Sequence, residues 1–169
     1  MDDGLDIDVD LPEPAPHRQR ELAEYGRWVL AVIAVGGVIG AELRYGVGVL
    51  LPSDSGSVPW ATVLVNVIGG FGIGVLMAIL GRLARPHPLV RPFVGVGVLG
   101  GFTTFSTYST DTYRLIDVGR PELALGYAAL TLFAALAATL AGMALGSRIP
   151  RLAPGSGFTS VSAPGRGPR

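Results

Sequence analysis

The sequence contains no cysteine and only two histidines. The missing cysteine excludes disulfide bonds and thiolate metal sites. The histidines, His17 and His87, lie among prolines in a predicted tail and a predicted loop, which argues against a metal site built on them. The formal net charge is zero and the sequence shows no basic groove, so we expect no nucleic-acid partner.

Long stretches also lack any charged side chain. The windows Trp60–Gly81, Phe93–Thr110 and Leu123–Ser147 contain no Asp, Glu, Lys or Arg. A membrane-spanning helix needs about 20 mostly apolar residues. We therefore predict an all-α integral membrane protein with four transmembrane helices. The spans are expected at about residues 28–51, 60–81, 92–116 and 122–146, the first being the weakest because Glu42 and Arg44 interrupt it.

Polar tails flank the predicted four-helix domain of residues 27–147. Residues 1–26 are acidic, then Pro-rich, then basic, and residues 148–169 are rich in Pro, Gly and Ser. These compositions predict two disordered tails. The first residues, Met1 to Asp3, provide no basic segment ahead of an apolar run, so we expect no signal peptide. The first helix is then expected to act as its own insertion signal.

Arginine is distributed unevenly about the four predicted spans. Both tails and the loop of residues 82–92 share one side of the membrane, which carries Arg18, Arg20, Arg27, Arg82, Arg85, Arg91, Arg148, Arg151, Arg166 and Arg169. The other side carries only Arg44, Arg114 and Arg120. Cytoplasmic loops are enriched in Lys and Arg, and this bias sets orientation. We therefore predict one fixed topology in the cell membrane, with both termini cytoplasmic.

Glycine is abundant, with 25 residues, and its spacing predicts close helix packing. The helical repeats are Gly36, Gly37 and Gly40 in the first span and Gly69, Gly70 and Gly74 in the second. Small residues at such spacing let helix backbones approach one another in lipid.

The third predicted span combines glycine with a run of hydroxyl residues. Gly100 and Gly101 lead into the segment of residues 103–110, where Thr, Ser and aromatic residues alternate. β-branched threonines after paired glycines disfavour a helix, so we predict a break near Gly100–Thr103. Its free carbonyls would need protein, water or an ion as partner. The alternative is an ordinary helix whose hydroxyls bond to its own backbone.

The polar side chains predicted at membrane depth are mostly hydrogen-bond donors. They are Arg44, Asn66, Tyr127 and Thr131. Phe105 and Tyr108 are three residues apart and can turn their electropositive ring edges to one side, although such rings also serve in packing alone. The only carboxylates nearby, Glu42 and Asp111, lie near predicted helix ends. This balance favours an anion path over a cation path.

Four motifs, one on each predicted span, resemble the CrcB/Fluc family of fluoride channels. Residues 36–45 (GGVIGAELRY) are similar to the family's GGxxGAxxRY, and residues 61–69 (ATVLVNVIG) to GTLxVNxxG. Residues 100–108 (GGFTTFSTY) are similar to GGxTTFSTF, and residues 127–131 (YAALT) to YxxxS. The resemblance covers about residues 30–147. Ala61, Tyr108 and Thr131 depart from the pattern, replacing glycine, phenylalanine and serine.

The resemblance implies a passive channel that exports cytoplasmic fluoride and lowers its toxicity, rather than an enzyme. It implies a dimer of antiparallel four-helix subunits with two narrow pores, embedded in membrane lipid. It also implies a structural sodium ion, not transported, on the backbone carbonyls of Gly100 and Thr103. The residues that would line the fluoride path are Asn66, Phe105, Tyr108, Thr107, Tyr127, Thr131, Thr62 and Arg44.

The arginine bias bears on the partner in such a dimer. A chain with one fixed topology needs an oppositely oriented partner to form an antiparallel dimer, which favours a paralogous subunit over a homodimer. Two other functions remain open from the sequence. A proton-coupled exporter that resembles the small multidrug-resistance proteins would need a carboxylate deep in a helix, for which Glu42 is the candidate. A membrane scaffold without transport activity is the third interpretation.

Overall fold

The computed structural model describes residues 16–83 and 86–149, with side chains described from residue 25 onward. Regular structure in these ranges is helical. The third predicted span is divided into a π-helical stretch, a single α-helical turn and a longer α-helix. The elements are α1 (Pro16–Leu50), α2 (Trp60–Leu80), the π-helix (Arg91–Leu99), α3 (Gly100–Phe102), α4 (Ser106–Asp117) and α5 (Pro121–Gly146).

Three helices are long and apolar enough to cross a membrane. They are Tyr25–Leu50, Trp60–Leu80 and Pro121–Gly146. The third predicted span does not form one such helix, because it is broken between Phe102 and Ser106. The prediction of an all-helical membrane protein with four helical segments and a break in the third is therefore confirmed.

Helix α1 begins at Pro16, well before the predicted start of the first span. Proline is favoured at the first position of a helix because its missing N–H would have no partner there. The helix therefore starts inside the stretch that composition predicts to be a tail. Residues 1–15 and 150–169 lie outside the described residues, so the limits of the two tails stay predictions.

The helices associate as two parallel pairs. Helix α2 packs along α5, and α1 packs along the π-helix and α3. A Cβ atom added to Gly36 would lie 2.6 Å from the Phe93 carbonyl oxygen, and one added to Gly40 would clash with the Val98 carbonyl oxygen. These contacts confirm that Gly36 and Gly40 serve close helix packing, whereas a Cβ atom added to Gly37 would meet nothing within 4 Å.

The second glycine repeat forms the other pair in the same way. A Cβ atom added to Gly70 would lie 2.8 Å from the Ala135 carbonyl oxygen, and one added to Gly74 would clash with the Thr139 carbonyl oxygen. A Cβ atom added to Gly142 on α5 would likewise clash with the Phe71 carbonyl oxygen of α2. Both contact series ascend together along the two helices, so α2 and α5 run in the same direction.

One arginine hydrogen bond lies at each end of the bundle and shows which helix ends are neighbours. At one end, the Arg82 guanidinium after α2 donates to the carbonyl of Ile149 after α5 (2.6 Å). At the other end, Arg120 before α5 donates to the carbonyl of Gly56 in the first loop (2.9 Å). The start of α1 and the end of α5 therefore lie at the same end of the bundle, as an even number of helical segments requires.

Candidate functional site

The break in the third segment is closed by one side chain of α2. The Asn66 amide nitrogen donates to the Thr104 carbonyl (3.0 Å), and its amide oxygen accepts from the Thr104 N–H (2.8 Å). Thr103 is extended (φ −76°, ψ 158°), so the helix cannot continue through it. Backbone groups at membrane depth need internal partners, and Asn66 supplies two of them. The sequence predicts that backbone groups freed by the break need a partner, but it does not identify Asn66 as that partner.

The carbonyls on either side of the break have different partners. In a continuous helix the Thr104 N–H would bond to the Gly100 carbonyl, but it bonds to Asn66 instead. The Thr103 carbonyl accepts from the Arg44 guanidinium at 3.3 Å. The break thus leaves the Gly100 carbonyl without the Thr104 N–H and places the Arg44 guanidinium beside the Thr103 carbonyl.

Aromatic side chains extend from the break towards α5. The ring centroids of Phe105 and Tyr108 are 5.6 Å apart, and those of Tyr108 and Tyr127 are 5.8 Å apart. Phe105 is 79% exposed, whereas Tyr127 is 1% exposed. The three rings therefore form a row that leads from the surface of the chain to its interior. The Tyr108 hydroxyl donates to the Ala128 carbonyl (3.2 Å), which ties α4 to α5.

Seven of the eight residues predicted for the fluoride path line two separate grooves, and the buried Tyr127 lines neither. The first, which we call the aromatic groove, is lined by Asn66, Thr103, Thr104, Phe105, Tyr108 and Thr131 and has a volume of about 390 Å³. The second, the arginine groove, is lined by Arg44, Tyr45, Thr62, Thr104 and Thr107 and has a volume of about 460 Å³. Thr104 is common to both. Within the described chain the break therefore separates two grooves, and the predicted lining residues do not share one of them.

Asp111 is the residue whose position the sequence misjudged. It lies in the middle of α4 and is 8% exposed, whereas the sequence placed it near a helix end. One of its carboxylate oxygens accepts from the Thr62 hydroxyl (2.7 Å) and from the Tyr127 hydroxyl (3.4 Å). The other lies 3.7 Å from the Arg114 guanidinium. The sequence signal was the spacing of Asp111 from Tyr108, three residues along the same helix.

Most hydroxyl hydrogens at the site are already donated within the chain. Thr62 and Tyr127 donate to Asp111, and Thr131 donates to the Tyr127 carbonyl (2.8 Å). Three groups keep a spare donor. Asn66 has a second amide N–H, Arg44 has further guanidinium N–H groups, and the Thr107 hydroxyl is used only as an acceptor, from Thr104 at 3.0 Å. These spare donors lie on both sides of the break.

The two hydrogen bonds from Asn66 to the Thr104 backbone, which we call the Asn66 clamp, bridge the break. The chain that contains this clamp matches a known family. The family described as "CrcB-like protein, Camphor Resistance (CrcB)" matches residues 31–143, more than half of the chain. The chain belongs to the CrcB family. The predicted resemblance, made on the four motifs, is thereby confirmed.

Relatives of this CrcB family member are named as fluoride channels. "Fluoride-specific ion channel FluC 2" of Streptomyces avermitilis is 50% identical over 118 residues, covering 70% of the chain and 75% of the relative. FluC 2 of Nocardia farcinica is 48% identical, covering 76% and 89%. FluC 3 of Streptomyces avermitilis is 44% identical, covering 70% and 58%. These names describe channels, in agreement with the prediction that the chain is not an enzyme.

Proposed function

We propose that the chain is a fluoride-specific channel through which cytoplasmic fluoride leaves the cell passively. The observation that carries this proposal is the break at Thr103–Phe105, whose backbone groups at Thr104 are satisfied by Asn66 and which is flanked by spare donors and ring edges. The names of the relatives support the same ion. Passive export requires no energy-coupling site.

The chemistry of the two grooves suits a small, strongly hydrated anion. A pore must replace the water that the ion loses without binding the ion so tightly that it cannot leave. The spare N–H groups of Asn66 and Arg44 and the Thr107 hydroxyl supply donors, and the rims of Phe105 and Tyr108 supply positive edges. We assign the path to these residues together with Thr62, Tyr127 and Thr131. Asp111 would hold the Thr62 and Tyr127 hydroxyls in place until an anion competes for them.

The decisive measurement is ion flux from liposomes that contain the purified chain. Fluoride should be released quickly once an ionophore balances charge, without a proton gradient, and chloride should be released far more slowly. Equal fluoride and chloride rates would contradict the proposed selectivity.

A proton-coupled exporter is a second candidate because the structure offers a carboxylate for it. Glu42, the residue considered from the sequence, is exposed, but Asp111 is buried among α2, α4 and α5. Transport that requires a proton gradient and is lost in Asp111→Asn would favour this candidate. Fluoride flux that is independent of the gradient, in wild type and in Asp111→Asn alike, would reject it.

The proposal includes an antiparallel dimer with a structural sodium ion. The donor set fits a hard cation in part, because the Gly100 carbonyl is released by the break and carbonyl oxygen is a suitable ligand. Two carbonyls from one chain are too few for full coordination, and a second chain would double them. The Arg44 guanidinium, 3.3 Å from the Thr103 carbonyl, would have to withdraw. Sodium would supply only fixed charge between subunits.

Replacing sodium by a large organic cation tests this part separately. We expect weaker dimer assembly or lower flux, and Arg44→Gln should reach full assembly at a lower sodium concentration because the competing cation is gone. Assembly and flux that do not change with sodium in either protein would overturn the site.

We propose that both termini are cytoplasmic and that the partner is a paralogous subunit of opposite orientation. The ten-to-three arginine distribution supports the orientation. Streptomyces avermitilis carries both FluC 2 and FluC 3, so paralogues coexist in one relative's organism. Accessibility of a C-terminal tag in intact cells tests the orientation, and a mixed population would contradict it. Fluoride flux from the chain purified alone would show that a homodimer suffices.

A further inference from the structure

The side chains that the structure describes divide by charge between the two ends of the bundle. The end where α1 begins and where α2 and α5 terminate carries four described cations: Arg27, Arg82, Arg91 and Arg148. Within residues 25–83 and 86–149 this end, which we call the basic end, carries no carboxylate, although the start of α1 before residue 25 carries Glu21 and Glu24. The carboxylates of these ranges all lie in the other half: Glu42, Asp54, Asp111, Asp117 and Glu122. The described side chains of the basic end therefore supply cationic partners for an anion.

A groove opens at the basic end between α2 and the segment that precedes the π-helix. Its walls are apolar, formed by Met77, Leu80, Pro86 and Pro88, and its volume is about 420 Å³. Two polar side chains line it as well, Arg91 and His87. The volume lies within the range of pockets that hold small organic groups. We call this the basic-end groove.

Both polar side chains can donate to an anion in the groove. Arg91 is exposed, and its guanidinium is a rigid fork that matches phosphate geometry. The His87 Nδ1 atom accepts from the Leu89 N–H at 3.3 Å. A neutral imidazole with Nδ1 as acceptor carries its proton on Nε2, so the second nitrogen remains a donor. Arg82, in contrast, is engaged with the Ile149 carbonyl.

The apolar walls of the basic-end groove, together with its two donors, fit a lipid better than a free ion. The groove lies where α2 ends, at Leu80 and Gly81, which places it at the level of the head groups if α2 spans the membrane. Basic pockets between transmembrane helices bind the head groups of anionic lipids. A soluble phosphate would use the guanidinium but would leave Met77 and Leu80 without a ligand.

We propose that the basic-end groove binds an anionic phospholipid, with Arg91 and His87 on its phosphate and an acyl chain along Met77 and Leu80. This site is independent of the ion path, because none of its residues lines the aromatic or the arginine groove.

Native mass spectrometry of the full chain in mild detergent tests the proposal. Wild type should retain added phosphatidylglycerol in preference to phosphatidylcholine, whose head group has no net charge. Arg91→Gln should weaken this retention by about fivefold or more, the factor for one basic residue near an anionic surface. Arg148→Gln is the matched control, since it removes one exposed arginine from the same end but outside the groove.

Each other outcome overturns the site. Equal weakening in both variants would mean general attraction to the basic end. Equal retention of the two lipids by wild type would exclude an anionic head group. Displacement of phosphatidylglycerol by millimolar inorganic phosphate would assign the groove to the free ion. The last two measurements use wild type alone, so they decide the proposal even if Arg91→Gln does not fold.

Discussion

The two halves of the broken third segment differ in how they are held. The first half, Arg91–Phe102, is rich in glycine and packs by backbone contact against α1. The second half, α4, is rich in hydroxyl residues, and Ser109, Thr110 and Thr112 each bond to the carbonyl four residues earlier. The comparison teaches that the first half anchors the segment, whereas the second half presents side chains to the grooves.

The comparison predicts the largest effect where backbone contact anchors the first half. Gly40→Ala should destabilise the fold by about 3 kcal/mol or more, because the added Cβ meets the Val98 carbonyl and backbone cannot move aside cheaply. Thermal unfolding of the purified protein measures this loss of stability.

The matched control is Gly37→Ala on the same helix. A Cβ atom there meets nothing within 4 Å, and alanine is favoured over glycine in a helix by about 0.5–1 kcal/mol. This variant should be neutral or slightly stabilised. Similar losses of stability in Gly40→Ala and Gly37→Ala would contradict the expected difference and would indicate that a second subunit covers Gly37.

The next largest effect is expected at the clamp between the halves. Asn66→Asp keeps an oxygen for the Thr104 N–H but loses the N–H that reaches the Thr104 carbonyl. An unsatisfied buried carbonyl costs about 1–3 kcal/mol, and a carboxylate beside the path repels an anion. We expect fluoride flux from liposomes to be lost and the melting temperature to fall. Flux at the wild-type level would show that Asn66 neither closes the break nor serves the ion.

A change at Phe105, directly before the second half, should affect flux without affecting the fold. Phe105→Ile keeps an apolar side chain at a position that is 79% exposed in the chain, so the melting temperature should not change. Fluoride flux should fall by about tenfold, the factor that about 1.4 kcal/mol of lost ion stabilisation produces. A stable variant that conducts normally would remove Phe105 from the path.

The smallest effect on stability and flux is expected at Tyr108, in the second half. Tyr108→Phe removes the hydroxyl that donates to the Ala128 carbonyl but leaves the ring. One hydrogen bond contributes about 1 kcal/mol, and the Ala128 carbonyl can still accept within its own helix. Stability should decrease by that amount, and flux should stay within about threefold of wild type. Complete loss of flux would mean that the hydroxyl itself contacts the ion.

Local composition made much of the fold predictable. Charge-free windows located the helices, and paired glycines ahead of Thr103 located the break, because both depend on residues that are neighbours in sequence. Glycine spacing likewise predicted the packing face at Gly36 and Gly40. Helix α1 begins at Pro16, inside the stretch of residues 1–26 whose charged, Pro-rich composition predicts a tail, so the limit of that tail stays a prediction.

The sequence by itself determined an all-helical membrane protein and its membership in a family, and it predicted an interruption of the third segment while leaving an unbroken helix open. Only the tertiary structure decided which groups meet there. Asn66 reaches the Thr104 backbone across 38 residues, and Thr62 reaches Asp111 across 49. Such pairs depend on how α2 is placed against the third segment and α5, since helical periodicity specifies a face but not the residue opposite it. For the same reason Asp111 is a buried acceptor rather than a carboxylate at a helix end.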